Sequence, residues 1–338
     1  MTPTRHPGAP APPRFDIAQL TAIRPAILVA AITALALVVV FAELPGRPLI
    51  FHALQKLAHP GVFAIIALGI LVLERQRPRA SRAIWLEYLV AAVVAVAIGG
   101  ATELGQIFTH RDPSLRDVGL DARGAACALA FAAVFDIRCR PAPRPGRWRA
   151  LYLTVGALLV AISLAPLAWT VAGYALRSGR FPVLFVPDTR LDLLFVSGGG
   201  ARLERIPVPA SLAHAPGELA LRVPLLTRPY AGVSLDEPSA DWSRYRSLAV
   251  EVTNPGHTDL DLNIRVHDRA HDFTVEDRFN ATATIAPGHR QTLEFPLAAI
   301  RAAPRDRPLD LSHIAGVTLY RSAPNGPREF WLHRIELR

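Results

Sequence analysis

Five long apolar runs, all confined to the first half of the chain, constrain this sequence more than any other feature. A helix that crosses a bilayer needs about 20 mostly apolar residues. The runs are Pro25–Ala42, Leu54–Leu73, Ile84–Thr102, Val118–Phe135 and Leu151–Tyr174, the last with Pro166 inside it. Beyond about Arg177 the chain reads as an ordinary mixed polar sequence. The runs help raise the hydrophobic share to 51% over 338 residues. Such a pattern excludes a purely soluble globular enzyme, a disordered chain and a coiled coil. It predicts an α-helical membrane bundle of about five transmembrane helices, followed by an all-β sandwich or jelly roll.

Charge is as uneven as hydropathy. Residues 1–176 carry 17 basic and 9 acidic groups, whereas 177–338 carry 20 and 19. Arginine concentrates between runs two and three (Arg75, Arg77, Arg79, Arg82) and between runs four and five (Arg138, Arg140, Arg144, Arg147, Arg149). Loops rich in Lys and Arg stay in the cytoplasm. The expected order is therefore a cytoplasmic tail over 1–24, a membrane domain over 25–176 and an extracytoplasmic sandwich over 177–338. A bacterial inner (cytoplasmic) membrane location with a periplasmic C-terminal domain follows. A signal peptide cut after Val40-Phe41-Ala42 is the rival for the first run. The 17-residue stretch Ala26–Ala42 exceeds a usual apolar core of about 7–15 residues, which favours an uncleaved helix. The near-neutral second half offers no basic face for nucleic acid. The two cysteines, Cys127 and Cys139, both lie in the first half, and no metal-binding spacing is present. Neither a metal nor a cofactor is expected.

Ionisable residues within or at the ends of spanning helices are costly and mark function by default. Here they gather at one expected membrane face. Lys56 and His59 lie three apart, hence on one helix face, and Glu103 and Gln106 repeat that spacing. Arg111, Ser114 and Arg116 fill the next outer loop. Asp117 and Asp121 follow one turn apart, with Gly124 and Ala128 continuing their stripe. Lys56 is the only lysine in the chain. One reading has these charges pair merely to let the helices assemble. The other has Lys56, His59 and Arg111 bind an anionic head group or glycan phosphate, with His59, Glu103 and Asp117 as candidate catalytic groups.

The array Gln55-Lys56-x-x-His59, Glu103-x-x-Gln106, Arg111 and Ser114-x-x-Asp117-x-x-x-Asp121-x-x-Gly124 resembles the VanZ-like family over about residues 45–137. It departs from that pattern at Gln55 for the usual Asp, Pro60 after the His, Asp121 for the usual Asn, and Ala128 for a second Gly. The resemblance implies an integral membrane protein of bacterial cell envelopes. The family is named for a member associated with glycopeptide (teicoplanin) resistance. Membership does not by itself supply a reaction.

In the second half apolar and polar residues alternate. Leu248, Val250 and Val252 form one such series, and Leu260, Leu262, Ile264 and Val266 another. Ile314 to Leu319 and Phe330 to Leu337 suggest further strands. Asn254-Pro-Gly256, Pro287-Gly288 and Pro324-Asn-Gly326 read as turns. Several short strands without helical periodicity predict an antiparallel sandwich. The stretches Asp241-Trp242-Ser243, Arg265-x-x-Asp268, Asp277-Arg278-Phe279-Asn280 and Phe330-Trp331-Leu332-His333 resemble galactose-binding-like and carbohydrate-binding-module jelly rolls. That resemblance implies glycan binding in a surface groove. Tyr230, Asp268, His271, Arg278 and Tyr320 are the candidate contacts, since sugars want planar hydrogen-bonding groups beside an aromatic platform. The alternative pairs Asp268 with Arg278 to hold a sandwich edge. Trp242 and Trp331 are expected in the core.

The expected partners are membrane lipids and an envelope glycan or lipid-linked saccharide. Binding rather than catalysis is the first reading. A membrane-face transferase or hydrolase is the alternative, and it lacks a recognised nucleophile motif.

Overall fold

The computed structural model describes residues 24–41, 48–77, 83–109, 114–139, 145–225, 230–238, 241–322 and 328–338. Arg111, Arg79, Arg82, Arg140, Arg144, most of the N-terminal tail, Ala42 of the possible cleavage site and the Pro324–Gly326 turn lie outside the described residues. The chain forms two compact units, Met1–Ala168 and Trp169–Arg338.

In the first unit each apolar run is a helix. These are α1 (Pro25–Phe41), α2 (Leu49–Gln76), α3 (Ile84–Gln106), α4 (Leu115–Phe135) and α5 (Pro145–Arg180), the last running on into the second unit. Among the described residues, α2 to α5 are long and apolar enough to cross a membrane, and α1 adds a shorter apolar helix. Phe63, Ile66, Ala67, Ile70 and Leu71 of α2 pack with Ala91 and Ala95 of α3 and with Ala125, Leu129 and Ala132 of α4. The alanines bring backbones close, which is how helices associate where burial from water supplies no drive. Exposed faces are apolar too: Ile65, Trp85, Val93, Leu104 and Leu158 are each more than half exposed. A patch of that extent suits lipid rather than water.

Buried acids at the Arg75 end of the bundle are neutralised. Arg75 bonds Asp136 at 2.6 Å, and Arg138 reaches Glu87 and Asp136 at 3.2 and 3.1 Å. Tyr88 donates to Asp136 at 3.4 Å.

The second unit is a sandwich of two antiparallel sheets. Its strands are β1 (Val183–Phe185), β2 (Val196–Ser197), β3 (Glu204–Pro207), β4 (Leu219–Pro224), β5 (Ala231–Asp236), β6 (Ser247–Thr253), β7 (Leu260–Asp268), β8 (Phe279–Ile285), β9 (Arg290–Pro296), β10 (Ile314–Arg321) and β11 (Glu329–Leu337). A short α6 (Leu297–Ala302) follows β9. One sheet has the order β3-β4-β11-β6-β9, with β1 also paired to β11; the other is β2-β5-β10-β7-β8. Period-two alternation places Leu260, Leu262, Ile264 and Val266 inward on β7, all essentially without solvent exposure. Trp242 and Phe330 are fully buried beside them in the core.

Trp331 departs from expectation. It lies on the outer face of β11, half-buried, and its indole donates to Glu329 at 3.0 Å. With Phe330 and Leu332 turned inward, alternation sends the residue between them out. The register then shifts between Leu332 and Arg334, so His333 is buried as well and bonds Thr253 at 2.8 Å.

Two sandwich histidines couple the fold to acidity. Desolvation, and then the nearby Arg290, lowers the His333 pKa to about 4. Desolvation, and then Arg265, does the same for His267. In the unfolded chain both return to about 6.5 and take up a proton there. Their contribution to stability is therefore complete above pH 6.5 and is lost as pH falls to about 4. The sandwich is expected to lose on the order of a few kcal/mol across that window, seen as a falling melting temperature between pH 7 and 4.5. His333→Gln should flatten the profile, and an unchanged profile would count against the buried neutral imidazole.

Candidate functional site

Three helices of the first unit bring ionisable groups together. His59 of α2 lies one residue before Pro60, whose missing N–H removes a helical bond to the carbonyl of Lys56. Glu103 comes from the last turn of α3. Asp121 comes from the second turn of α4, whose first turn is capped by Ser114 accepting from the Asp117 amide at 3.3 Å. His59 Nδ1 and Asp121 Oδ1 are 3.0 Å apart. The Ser114 amide donates to Glu103 Oε2 at 2.7 Å. All three side chains are buried, with one potential ligand atom from each within 4.8 Å of the others.

Two glycines permit this approach. A Cβ on Gly124 would stand 2.1 Å from the Pro60 carbonyl oxygen, so α2 and α4 touch backbone to backbone there. A Cβ on Gly99 would stand 2.8 Å from Asp121 Oδ2.

The expected constellation is thus brought together in part. His59, Glu103 and Asp121 converge. Gln106 is buried nearby on α3 and donates to the Val39 carbonyl at 3.4 Å. Lys56 is exposed, and Asp117 is half-buried at the start of α4. Asp121, and not Asp117, is the carboxylate that meets His59, because it lies a full turn deeper along α4.

In the second unit the outer face of the five-stranded sheet carries a polar ladder. Thr318 on β10 stands opposite both Ser234 on β5 and Arg265 on β7. The two hydroxyls are 3.0 Å apart, and Arg265 donates to Thr318 at 3.3 Å. Asn263 donates to Ser322 at 3.0 Å and accepts from Thr282 at 2.8 Å. Burial lowers the Arg265 pKa, helped by the like charge of Arg278. At one end of the ladder Tyr230, 73% exposed and held at φ 62, tilts against Tyr320 with ring centroids 5.6 Å apart. At the other end the rings of His267, His271 and Phe273 succeed one another at 5.2 and 5.5 Å. Tyr320 and Gly316, opposite His267, are four residues apart on β10, a span of roughly 13 Å.

Of the five residues expected to touch a glycan, Tyr230, Tyr320 and Arg278 are at or beside this face. His271 has little exposure, and its Nδ1 lies 2.9 Å from the Asp277 carbonyl. Asp268 is withdrawn as a contact. It has no exposed surface and takes bidentate bonds from Arg307 at 2.5 and 2.7 Å, plus the Asp310 amide at 2.8 Å. Its structural partner is Arg307 and not Arg278, which bonds Asn280 at 3.1 Å. Ser234, Asn263, Arg265 and Thr318 were not among the expected contacts, although the polar half of the β7 alternation carried the signal.

The opposite, six-stranded sheet carries a groove of about 600 Å³ lined by Glu218, Glu251, Arg290, His333, Arg334 and neighbours. Arg290 bonds Glu218 at 2.5 Å and Glu251 at 2.9 Å. The first of these bonds lowers the Glu218 pKa to about 2. No Phe, Tyr or Trp side chain lines this groove; its rings are the imidazoles of His214 and His333.

No protein-family profile matches the chain, and no curated protein does. Solved structures match less than half of the chain. An exo-beta-agarase is 16% identical with a TM-score of 0.38, covering 46% of this chain; the match spans about a quarter (24%) of the agarase's length. The family 11 carbohydrate-binding module from Clostridium thermocellum, in complex with a beta-1,3-1,4-mixed-linked tetrasaccharide, is 18% identical with a TM-score of 0.35, covering 46% of this chain and 93% of that one. The CBM22-1 xylan-binding domain from Paenibacillus barcinonensis is 15% identical with a TM-score of 0.30, covering 42% and 84%.

Proposed function

We propose that this chain is a VanZ-like, multi-pass protein of the bacterial inner membrane whose sandwich binds an envelope glycan on its five-stranded sheet. The observation that carries the reading is the pair Tyr230–Tyr320 at the head of a ladder of hydroxyl, amide and guanidinium groups. Sugar rings present apolar faces and hydroxyl edges. Tyrosines supply the stacking surface, and Ser234, Asn263, Arg265 and Thr318 supply donors and acceptors. The other face offers paired charges and Trp331, whose indole is tied to Glu329. The arginine-rich loops favour a cytoplasmic N-terminus and a periplasmic sandwich.

A second reading is favoured by the His59–Asp121 contact. A buried imidazole oriented by a carboxylate is suited to general-base work, as in a transferase or hydrolase acting on a lipid-linked or glycan substrate at the membrane face.

The full chain in nanodiscs is expected to bind an envelope polysaccharide. Tyr230→Ala and Tyr320→Ala should each weaken binding about tenfold, the equivalent of ~1.4 kcal/mol of stacking. Arg334→Ala, in the opposite groove, should leave it unchanged. No binding to any envelope polymer, or a loss confined to Arg334→Ala, would refute the assignment.

A further inference from the structure

From the convergence of His59, Glu103 and Asp121 we infer a site for one divalent transition metal of the Zn2+ or Mn2+ type. This assignment is independent of glycan binding by the sandwich. The three residues come from three different helices, and their burial is nearly complete: 9%, 3% and 0% exposed. Glu103 Oε1 and Asp121 Oδ2 are buried and have no hydrogen-bond partner. A buried polar atom left unpaired in a packed core calls for an explanation. The Arg75 end of the same bundle shows the usual solution, where Arg75 and Arg138 neutralise Asp136 and Glu87. Among the described residues neither Glu103 nor Asp121 has an Arg or Lys partner. A divalent cation with one neutral imidazole would leave the site without net charge.

The details suit such an ion. Donors bound at about 2.0–2.2 Å to one ion stand roughly 3–3.5 Å from one another; one ligand atom from each of the three residues lies within 4.8 Å of the others, and His59 Nδ1 and Asp121 Oδ1 are 3.0 Å apart. The Ser114 amide holds Glu103 through Oε2 and leaves Oε1 for the ion, the orienting role that outer hydrogen bonds play at metal centres. A mixed nitrogen and carboxylate set suits Zn2+ or Mn2+ better than Ca2+ or Mg2+, which prefer oxygen alone. Three protein ligands leave a coordination position open to water or a substrate oxygen. The comparable cluster His271, Asp272 and Asp277 already has its cation, because Arg307 bonds both oxygens of Asp277.

The full chain is purified in detergent without a polyhistidine tag, stripped with chelator, loaded with Zn2+ or Mn2+ and desalted. Elemental analysis should then find about one equivalent per chain. His59→Ala, Glu103→Gln and Asp121→Asn should each weaken metal affinity about 100-fold or more, while His271→Ala leaves it unchanged. A second measurement on the unaltered chain avoids variants that misfold: pulsed electron paramagnetic resonance of the Cu2+-loaded protein should show coupling to one imidazole nitrogen. Absence of retained metal, unaltered retention in the three variants, or absence of imidazole coupling would overturn the site.

Discussion

Replacing Gly124 with alanine is expected to break the bundle. The new methyl carbon would fall 2.1 Å from the Pro60 carbonyl oxygen and 2.5 Å from the Pro60 Cα, both backbone atoms that cannot swing aside. Only a separation of α2 from α4 relieves such a clash. That separation strips contacts from Phe63, Ile66 and Leu129 and pulls His59 from Asp121. Overpacking costs ~1–3 kcal/mol where side chains can adjust, and a clash of backbone with backbone lies at or beyond the upper end. The detergent-purified variant should show little monodisperse protein by size exclusion and a markedly lower melting temperature. Gly119→Ala on the same helix meets nothing within 4 Å and should behave like the parent. Equal behaviour of the two variants would contradict the close crossing.

The second large effect is expected in the sandwich. Arg307→Leu removes the guanidinium that bonds both oxygens of Asp268 and leaves that carboxylate, without exposed surface, facing only two backbone amides. Breaking a buried pair by deleting one partner costs about 3–5 kcal/mol. Burial pushes the Asp268 pKa up, but the bonds from Arg307 and the Asp310 amide outweigh it and hold the pKa below its ordinary value. The stability from this pair is therefore present above the unfolded carboxylate pKa and fades as pH falls through the folded one. Hydrogen exchange of the full chain should show β7 and β10 losing protection in Arg307→Leu at pH 7, with the deficit narrowing in acid. Arg307→Lys should recover only part of it, since an ammonium cannot reproduce the planar fork. Undiminished protection in Arg307→Leu would show that the pair does not support the sheet.

Much of the architecture was legible in the residues. The five apolar runs became α1 to α5, although among the described residues only α2 to α5 are long enough to span a bilayer where five spans were expected, and strict alternation at Leu260–Val266 placed β7 with its core face correctly. What stayed hidden was nonlocal. Asp117 and Asp121 share a helical stripe, so spacing alone could not say which of them meets α2. Ser114 starts α4 just before Asp117 and leaves Asp121 a turn deeper, against His59 and Gly99. Asp268 found Arg307, 39 positions away in sequence, instead of the nearer Arg278. Trp331 was misplaced because its apolar neighbours outweighed its parity in the strand. The polar ladder on the five-stranded sheet was visible only as the polar half of the β7 alternation. Its assembly with Ser234 and Thr318 needed the strand order β5-β10-β7.

The meeting of α2 and α4 at the polar site is tested most directly by crosslinking the full chain in membranes. With Cys127 and Cys139 replaced by alanine, His59→Cys combined with Asp121→Cys should be joined in high yield by a short bis-thiol crosslinker, whereas Lys56→Cys combined with Asp121→Cys should react far less. Equal or absent crosslinking in the two pairs would contradict the delivery of His59 and Asp121 to a common site.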